Sequence, residues 1–518
     1  MILRLVTLLD FVCLLLHTVY GAKILGVFAA PSISHQVVFQ PIWKELSLRG
    51  HEVTVITPNP LNDKSLVNLT EIDVSFSYRI VTEANLQRSI EEARLYSDVV
   101  VAIYNIFINT AQEQLNHPKV QDLIKDKTKH FDLVIAEHFT PAMFAFSALY
   151  NCPLIGIISL GATLNGHDVM GNPSHPILNP DFSLPFQGQL GFFDRIYSVL
   201  YSIWYRYYYH YNFLPQQDKI AKKYFGENLP YIGDIEKNIS ILLTNENVLI
   251  HPVRPNVPAV VQMGNMHIQK AKPLPKDLQK ELDGATHGVV YFSLGSNIKS
   301  VNLSEETREK IIGALSEIPY KVLWKWEDQS LPGQPKNVII RRWFPQQDIL
   351  GHPNTKVFVT QGGLQSIEES IFKGVPIVGI PFFADQPLNV KKMLDLGIAQ
   401  AVDINTLTKE NLKAAILEVA QNPKYRNKVR ELAQLVTDVP MTGLEKAVWW
   451  SEYVIRHKGA RHLRSPAIDL PIYQYFLLDV IGFLLAVVIV SIIIVYKIVK
   501  LSIRFVKSFF KITKQKIS

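Results

Sequence analysis

Residues 358–386 read FVTQGGLQSIEESIFKGVPIVGIPFFADQ. The run KVFVT has the β-branched and aromatic character of a short buried strand, and it closes on Gln361-Gly362-Gly363. Leu364 to Phe372 then carries a helical pattern, stopped by Gly374 ahead of Pro376. On a helical wheel Leu364, Ile367 and Ile371 share one face, whereas Gln361, Gln365 and Glu369 form a polar stripe roughly opposite. Bare glycines between a strand and a helix leave backbone N–H groups free at the positive end of the helix dipole, a seat for phosphate. Glu369 lies about 12 Å further along, where a carboxylate can accept hydrogen bonds from two ribose hydroxyls. Upstream, Trp343 ends NVIIRRW, where it can stack a base, and Gln346 can read the edge of that base. Taken singly, each piece has a plain structural explanation as core, turn or solvated helix face. Their common spacing points to a nucleotide.

The surrounding chain alternates strands and helices. KILGVFAA, HQVVFQPIWKELSLRG and HEVTVITP make one strand–helix–strand unit of a parallel sheet, and FDLVIAE and CPLIGIIS repeat the strand type. A second series runs GVVYFSLGS, KVLWKW, NVIIRRW, KVFVT, PIVGI. The expected class is α/β, with two doubly wound Rossmann-like domains joined in the Pro-rich region from Pro252 to Pro275. The bounds are residues 22–255 for the first domain and 256–465 for the second. Neither series opens with G-x-G-x-x-G, which disfavours a dinucleotide oxidoreductase.

Of the 518 residues, 48% are apolar. Residues 1–21, with Arg4 ahead of an apolar stretch, have the layout of a secretory signal peptide. Residues 476–496 are apolar and long enough to span a bilayer, and residues 497–518 hold seven Lys or Arg and no acid. The positive-inside rule therefore expects a single-pass type I protein with a basic cytosolic tail and luminal domains. Between Ala22 and Tyr496 basic and acidic residues balance at 45 each, so the net charge of +7 belongs to the tail. That favours an anionic membrane surface and gives no support to nucleic-acid binding. Lys514 and Lys516 have the spacing of a dilysine retrieval signal, which expects residence in the endoplasmic reticulum membrane, and Asn68, Asn238 and Asn302 are N-glycosylation sequons. Cys13 belongs to the signal segment, which leaves Cys152 without a disulfide partner and excludes a Cys-based metal site.

The 44-residue block Trp343 to Gln386 resembles the nucleotide-sugar signature of the UDP-glycosyltransferases: W-x-x-Q, [HQ]-x-G, the helix Glu, P-x-x-x-x-P and the closing D-Q. The likeness extends through GHEVTVITP, YFSLGS, ILGHP and RHLRSPAIDLP, and the closing run looks most like insect members. The resemblance implies the GT-B fold, a UDP-sugar donor and a small lipophilic acceptor, with UDP-glucose as co-substrate and no cofactor or metal. It implies that Trp343 stacks uracil, Gln346 contacts its edge and Glu369 holds the ribose. Ser296, Gly363 and Gln365 would face the diphosphate, and Asp385 and Gln386 the transferred hexose. Gln361 stands where many relatives have His. Because it cannot become a cation, Arg254 becomes a further candidate phosphate contact.

Inverting transfer needs a base to take the acceptor proton, and His is the usual choice. His35 follows the first strand at a helix start, and Glu137 ends FDLVIAE, so both sit past carboxyl ends of parallel strands. The family pair is His-Asp; here the acid is Glu137, with His138 beside it. Between Phe192 and Phe213 half the residues are aromatic, which suits core, an acceptor channel or a membrane-skimming surface. Homo-oligomerisation is left open. The reading from another class is a non-catalytic carrier of lipophilic molecules that keeps the fold.

Overall fold

The computed structural model describes residues 21–517, except 86–88, 90–91, 185, 187, 297 and 383–384, with no side chains described beyond residue 508. The signal-peptide segment and the side chains of Lys514 and Lys516 therefore lie outside the described residues. Residues up to Arg464 form one compact unit, and those from Ser465 a second.

Two wholly parallel sheets make up the first unit. One has seven strands in the order β3-β2-β1-β4-β5-β6-β7, with β1 Lys23–Val27, β2 Glu52–Thr57, β3 Leu69–Asp73, β4 Leu133–Glu137, β5 Leu154–Ile158, β6 Ile239–Thr244 and β7 Val260–Gln262. The other has six, β10-β9-β8-β11-β12-β13, with β8 Val289–Ser293, β9 Lys321–Lys325, β10 Val338–Arg341, β11 Thr355–Thr360, β12 Ile377–Gly379 and β13 Ala399–Ala401. Central strands β4, β5 and β8 are buried along their whole length, as expected where helices cover both faces. In each sheet the strand order reverses once, between β1 and β4 and between β8 and β11. Such a reversal opens a crevice past the carboxyl ends of the two strands, where open α/β sheets bind ligands.

The helices that matter to the site are α1 Ile33–Leu48, α2 Tyr96–Asn116, α3 Phe192–Tyr208, α4 Leu214–Phe225, α5 Gln346–Leu350, α6 Leu364–Phe372, α7 Gln386–Asp395 and α8 Gly443–Arg456. The first sheet continues past residue 255, because β7 pairs with β6. Late in the chain α8 leaves the second sheet's surroundings and returns to the first. Ala447, Val448 and Val454 are buried with Phe39, Trp43 and Ile135 in a core that α1 shares. The sequence bound at 255 thus falls within the span of the first sheet, whereas 465 lies where the compact unit ends, and the apolar face of α8 has its partner on α1.

In the second unit α9, Leu478–Ile517, is one unbroken helix. Within its stretch Leu478–Ser508 an 18-residue window reaches a mean hydropathy of 3.0 and is nowhere buried, so by length and composition it is a candidate membrane span. The helix runs on past Tyr496, the end expected from the apolar run, because the basic residues that follow interrupt hydropathy without breaking helical structure.

Candidate active site

At the β1/β4 reversal, α1 starts after Ser32, which puts His35 in the first turn. Buried Gln36 fixes this turn: its amide donates to the carbonyls of Phe28 (3.1 Å) and Ala30 (2.9 Å) and accepts from Thr57 Oγ1 (2.8 Å). Glu137, fully buried at the end of β4, accepts the Ala30 N–H through Oε2 at 2.7 Å and meets His35 Nδ1 through Oε1 at 2.9 Å. With Nδ1–H donating to the carboxylate, Nε2 is left as the basic nitrogen. Expected from strand ends, this pair is brought together by the structure. His138 points elsewhere, with Nε2 3.4 Å from Glu236 Oε1, and burial lowers its pKa to about 4.

At the β8/β11 reversal lies a cavity of about 290 Å³, lined by Ser296, Trp343, Gln346, Gln365 and Glu369, and by Ile33, Ser34 and Val37 of α1. Five of the sequence-derived donor residues therefore share one cavity. Its floor depends on glycine. Gly295 has φ +79°, and a Cβ there would sit 2.1 Å from Gln361 Nε2, so the Gln361 amide lies directly over that turn. Gly362, at φ +89°, meets Val390 in the same way. Gly363 caps α6 with no side-chain hydrogen bond of its own, and of the first-turn amides that of Leu364 is taken by the Asp385 carboxylate, so an anion would be met by the amides that follow it. Trp343 is 60% exposed although it borders the cavity, with Lys325 Nζ 5.8 Å from its ring centroid.

Glu369 is buried and accepts amides from Gln346 (2.7 Å) and Gln347 (3.2 Å). Gln346 is thus engaged with the ribose candidate as well as placed at the cavity. Burial pushes the Glu369 carboxyl up to about 7, against the opposing effect of those two amides. Three neighbours went unnoticed in the sequence. Glu368 is buried and accepts from Asn245 Nδ2 at 3.1 Å, a bond between the first sheet and α6. Burial pushes its carboxyl up to about 8. His267, lowered to about 4 by burial, stands with Nδ1 3.7 Å from Glu368 and Nε2 3.6 Å from Glu369. Gln365 also reaches the first sheet, donating to the Ser159 carbonyl at 3.2 Å. Only a sequence signal for the docking of two sheets could have exposed these residues.

Asp385 and Gln386 start α7, where Asp385 accepts from Asn389 Nδ2 at 2.7 Å and Gln386 Oε1 accepts the Phe382 N–H at 3.0 Å. Burial raises the Asp385 pKa, against the opposing effect of the Asn389 hydrogen bond. Asp385 lines a smaller cavity of about 70 Å³ together with Arg254 and His167. Arg254 is absent from the lining of the larger cavity, because its guanidinium is committed to His167 Nε2 and the Pro173 carbonyl. Asn68, Asn238 and Asn302 are all exposed. Cys152 has no disulfide partner among the described residues.

Two doubly wound parallel sheets with crevices at both reversals make up the GT-B architecture. The solved structure of the glycotransferase of kitacinnamycin has this fold, with a TM-score of 0.55 at 19% identity over 84% of this chain and 98% of that one. So does that of TcCGT1 in complex with UDP, with a TM-score of 0.54 at 14% identity over 85% and 100%. The chain belongs to the UDP-glucoronosyl and UDP-glucosyl transferase family, whose model matches residues 22–516. Among its relatives, UDP-glycosyltransferase UGT5 of Dactylopius coccus is 35% identical over 94% of this chain and 93% of its own. UDP-glucosyltransferase 2 of the same species is 36% identical over 91% of each. UDP-glucuronosyltransferase 2B7 of Homo sapiens is 32% identical over 90% and 91%. The protein is a UDP-glycosyltransferase.

Proposed function

We propose that the enzyme moves glucose from UDP-glucose, with inversion, to a small lipophilic acceptor, and that it works as a single-pass type I protein of the endoplasmic reticulum membrane with both sheets luminal. One observation carries the chemistry: the His35–Glu137 pair, 2.9 Å apart, sits at the first turn of α1, whose Ile33, Ser34 and Val37 line the donor cavity. His35 Nε2 takes the acceptor O–H proton as that oxygen bonds to the anomeric carbon, and the carbon–phosphate-oxygen bond breaks to release UDP. Glu137 holds the imidazole and stabilises its charged form, as orienting acids do elsewhere. The α6 amides and Gln361 receive charge on the leaving diphosphate, so protein groups suffice and no metal is called on. Phe139, 5.7 Å from the His35 ring and stacked on Phe107 at 5.2 Å, supplies an aromatic wall suited to a phenolic or polycyclic acceptor.

Glucose is favoured over glucuronate by the greater similarity to the relative named for glucosyl transfer, 36% against 32%. Incubating microsomes that carry the protein with radiolabelled UDP-glucose, UDP-glucuronate and UDP-N-acetylglucosamine against a phenolic panel tests this. Turnover is expected with UDP-glucose and is expected to survive chelation. Preference for UDP-glucuronate would overturn the donor, and no turnover with any donor would favour a carrier.

A further inference from the structure

One face of the aromatic segment 192–213 is ordinary core. α3 buries Ser198, Tyr201, Ser202 and Tyr205, and the Tyr205 hydroxyl bonds Tyr104 of α2 at 2.5 Å and Asn165 Oδ1 at 3.0 Å. The opposite face has no such explanation. At about 100° per residue, Phe193, Ile196, Leu200, Ile203 and Tyr207 fall within an arc of about 80°, and no charged residue of the helix shares that arc. Phe193 is 81% exposed, Leu200 60%, Ile203 62% and Tyr207 60%. The π-helical turn that follows, Tyr209–Phe213, prolongs the stripe with Tyr211, 72% exposed. A helix facing water carries polar residues on that side, and a contiguous apolar patch of this kind marks an interaction surface.

Three observations select its occupant. The side chains are large aliphatics together with Tyr207 and Tyr211, and rings with a polar tip suit the headgroup–acyl boundary. Exposed cations stand at either end in sequence: Arg195, within 5.8 Å of the Phe192 ring centroid, and then Lys219 and Lys223 of α4. They suit anionic headgroups. Lastly, only 13 residues separate Arg464, where the compact unit ends, from Leu478, where the candidate membrane span begins, so a short tether keeps that unit at high local concentration near lipid.

We propose that the exposed face of α3 lies on the bilayer surface, its apolar side chains at the headgroup–acyl boundary, as a membrane contact additional to the span. The inference rests on the membrane-anchor part of the proposed function. The test uses the full chain with Cys13 and Cys152 replaced by serine, reconstituted in phosphatidylcholine–phosphatidylserine vesicles. Single Leu200→Cys, Ile203→Cys, Val488→Cys and Glu309→Cys variants carry an environment-sensitive NBD label, and spin-labelled lipid is the quencher. Emission at positions 200, 203 and 488 should shift to the blue and lose roughly half its intensity to the quencher, as expected for side chains at lipid depth. Emission at 309 should do neither. Quenching at 488 with water-like emission at 200 and 203 overturns the inference and leaves the anchor standing. Blue-shifted emission at 200 and 203 that lipid does not quench, but that depends on protein concentration, also overturns it, because the face is then covered by a second copy. Quenching at 200 and 203 without 488 upholds the inference and removes the anchor.

Discussion

Glu369 is a buried acid whose pKa, pushed up to about 7, places its titration where the enzyme works. To accept hydrogen bonds from two ribose hydroxyls it must be ionised. Burial favours the neutral form in the empty protein, so UDP binding should release a proton and weaken as pH falls through about 7. Calorimetric UDP affinity is expected to fall roughly tenfold from about pH 8 to about pH 6, following the ionised fraction of one group. Glu369→Gln should flatten that dependence and bind weakly throughout. A wild-type affinity that does not change with pH would remove Glu369 from the ribose. His35, Glu137 and Glu369 were legible as residues because each sits at a strand end or on a helix stripe, and chain position alone sets those places. Glu368, His267 and Asn245 were not, because their burial comes from the docking of one sheet against the other, which no local period records.

The strand–turn–helix elements were read correctly from hydrophobic run, glycine and period. α6 spans Leu364–Phe372 as its pattern requires, and Leu364, Ile367 and Ile371 are its buried apolar face. The assignment of α8 to its sheet was a different problem. LEKAVWWSEYVI announces an amphipathic helix but not which surface receives it, and chain order suggested the wrong neighbour. At the start of α8 Gly443 lies so close to the chain crossing between sheets that a Cβ would sit 1.8 Å from the Met263 carbonyl oxygen. Gly443→Ala should therefore force the helix off its seat and lower stability by about 1–3 kcal/mol, the usual cost of overpacking. Thermal unfolding would show this as a lower Tm; an unchanged Tm would mean that α8 does not depend on this approach.

At the scale of the molecule, the proposed catalysis requires the two sheets to contribute to one reaction, and the proposed membrane anchor would set where it happens. In sealed microsomes, added protease is expected to remove only the residues beyond the span and to spare both sheets; digestion of the bulk would reverse the proposed orientation. The meeting of the sheets is the central claim, since His35 and Glu137 come from the first and the donor cavity chiefly from the second. Its most direct measurement is kcat for His35→Ala, Glu137→Gln and the double variant, with UDP affinity measured alongside. General-base contributions predict a loss on the order of 10²-fold or more for each single variant. The double variant should lose little more, because residues acting as one unit are not additive, and UDP affinity should stay close to wild type in all three. A His35→Ala enzyme with near-normal kcat would contradict the account.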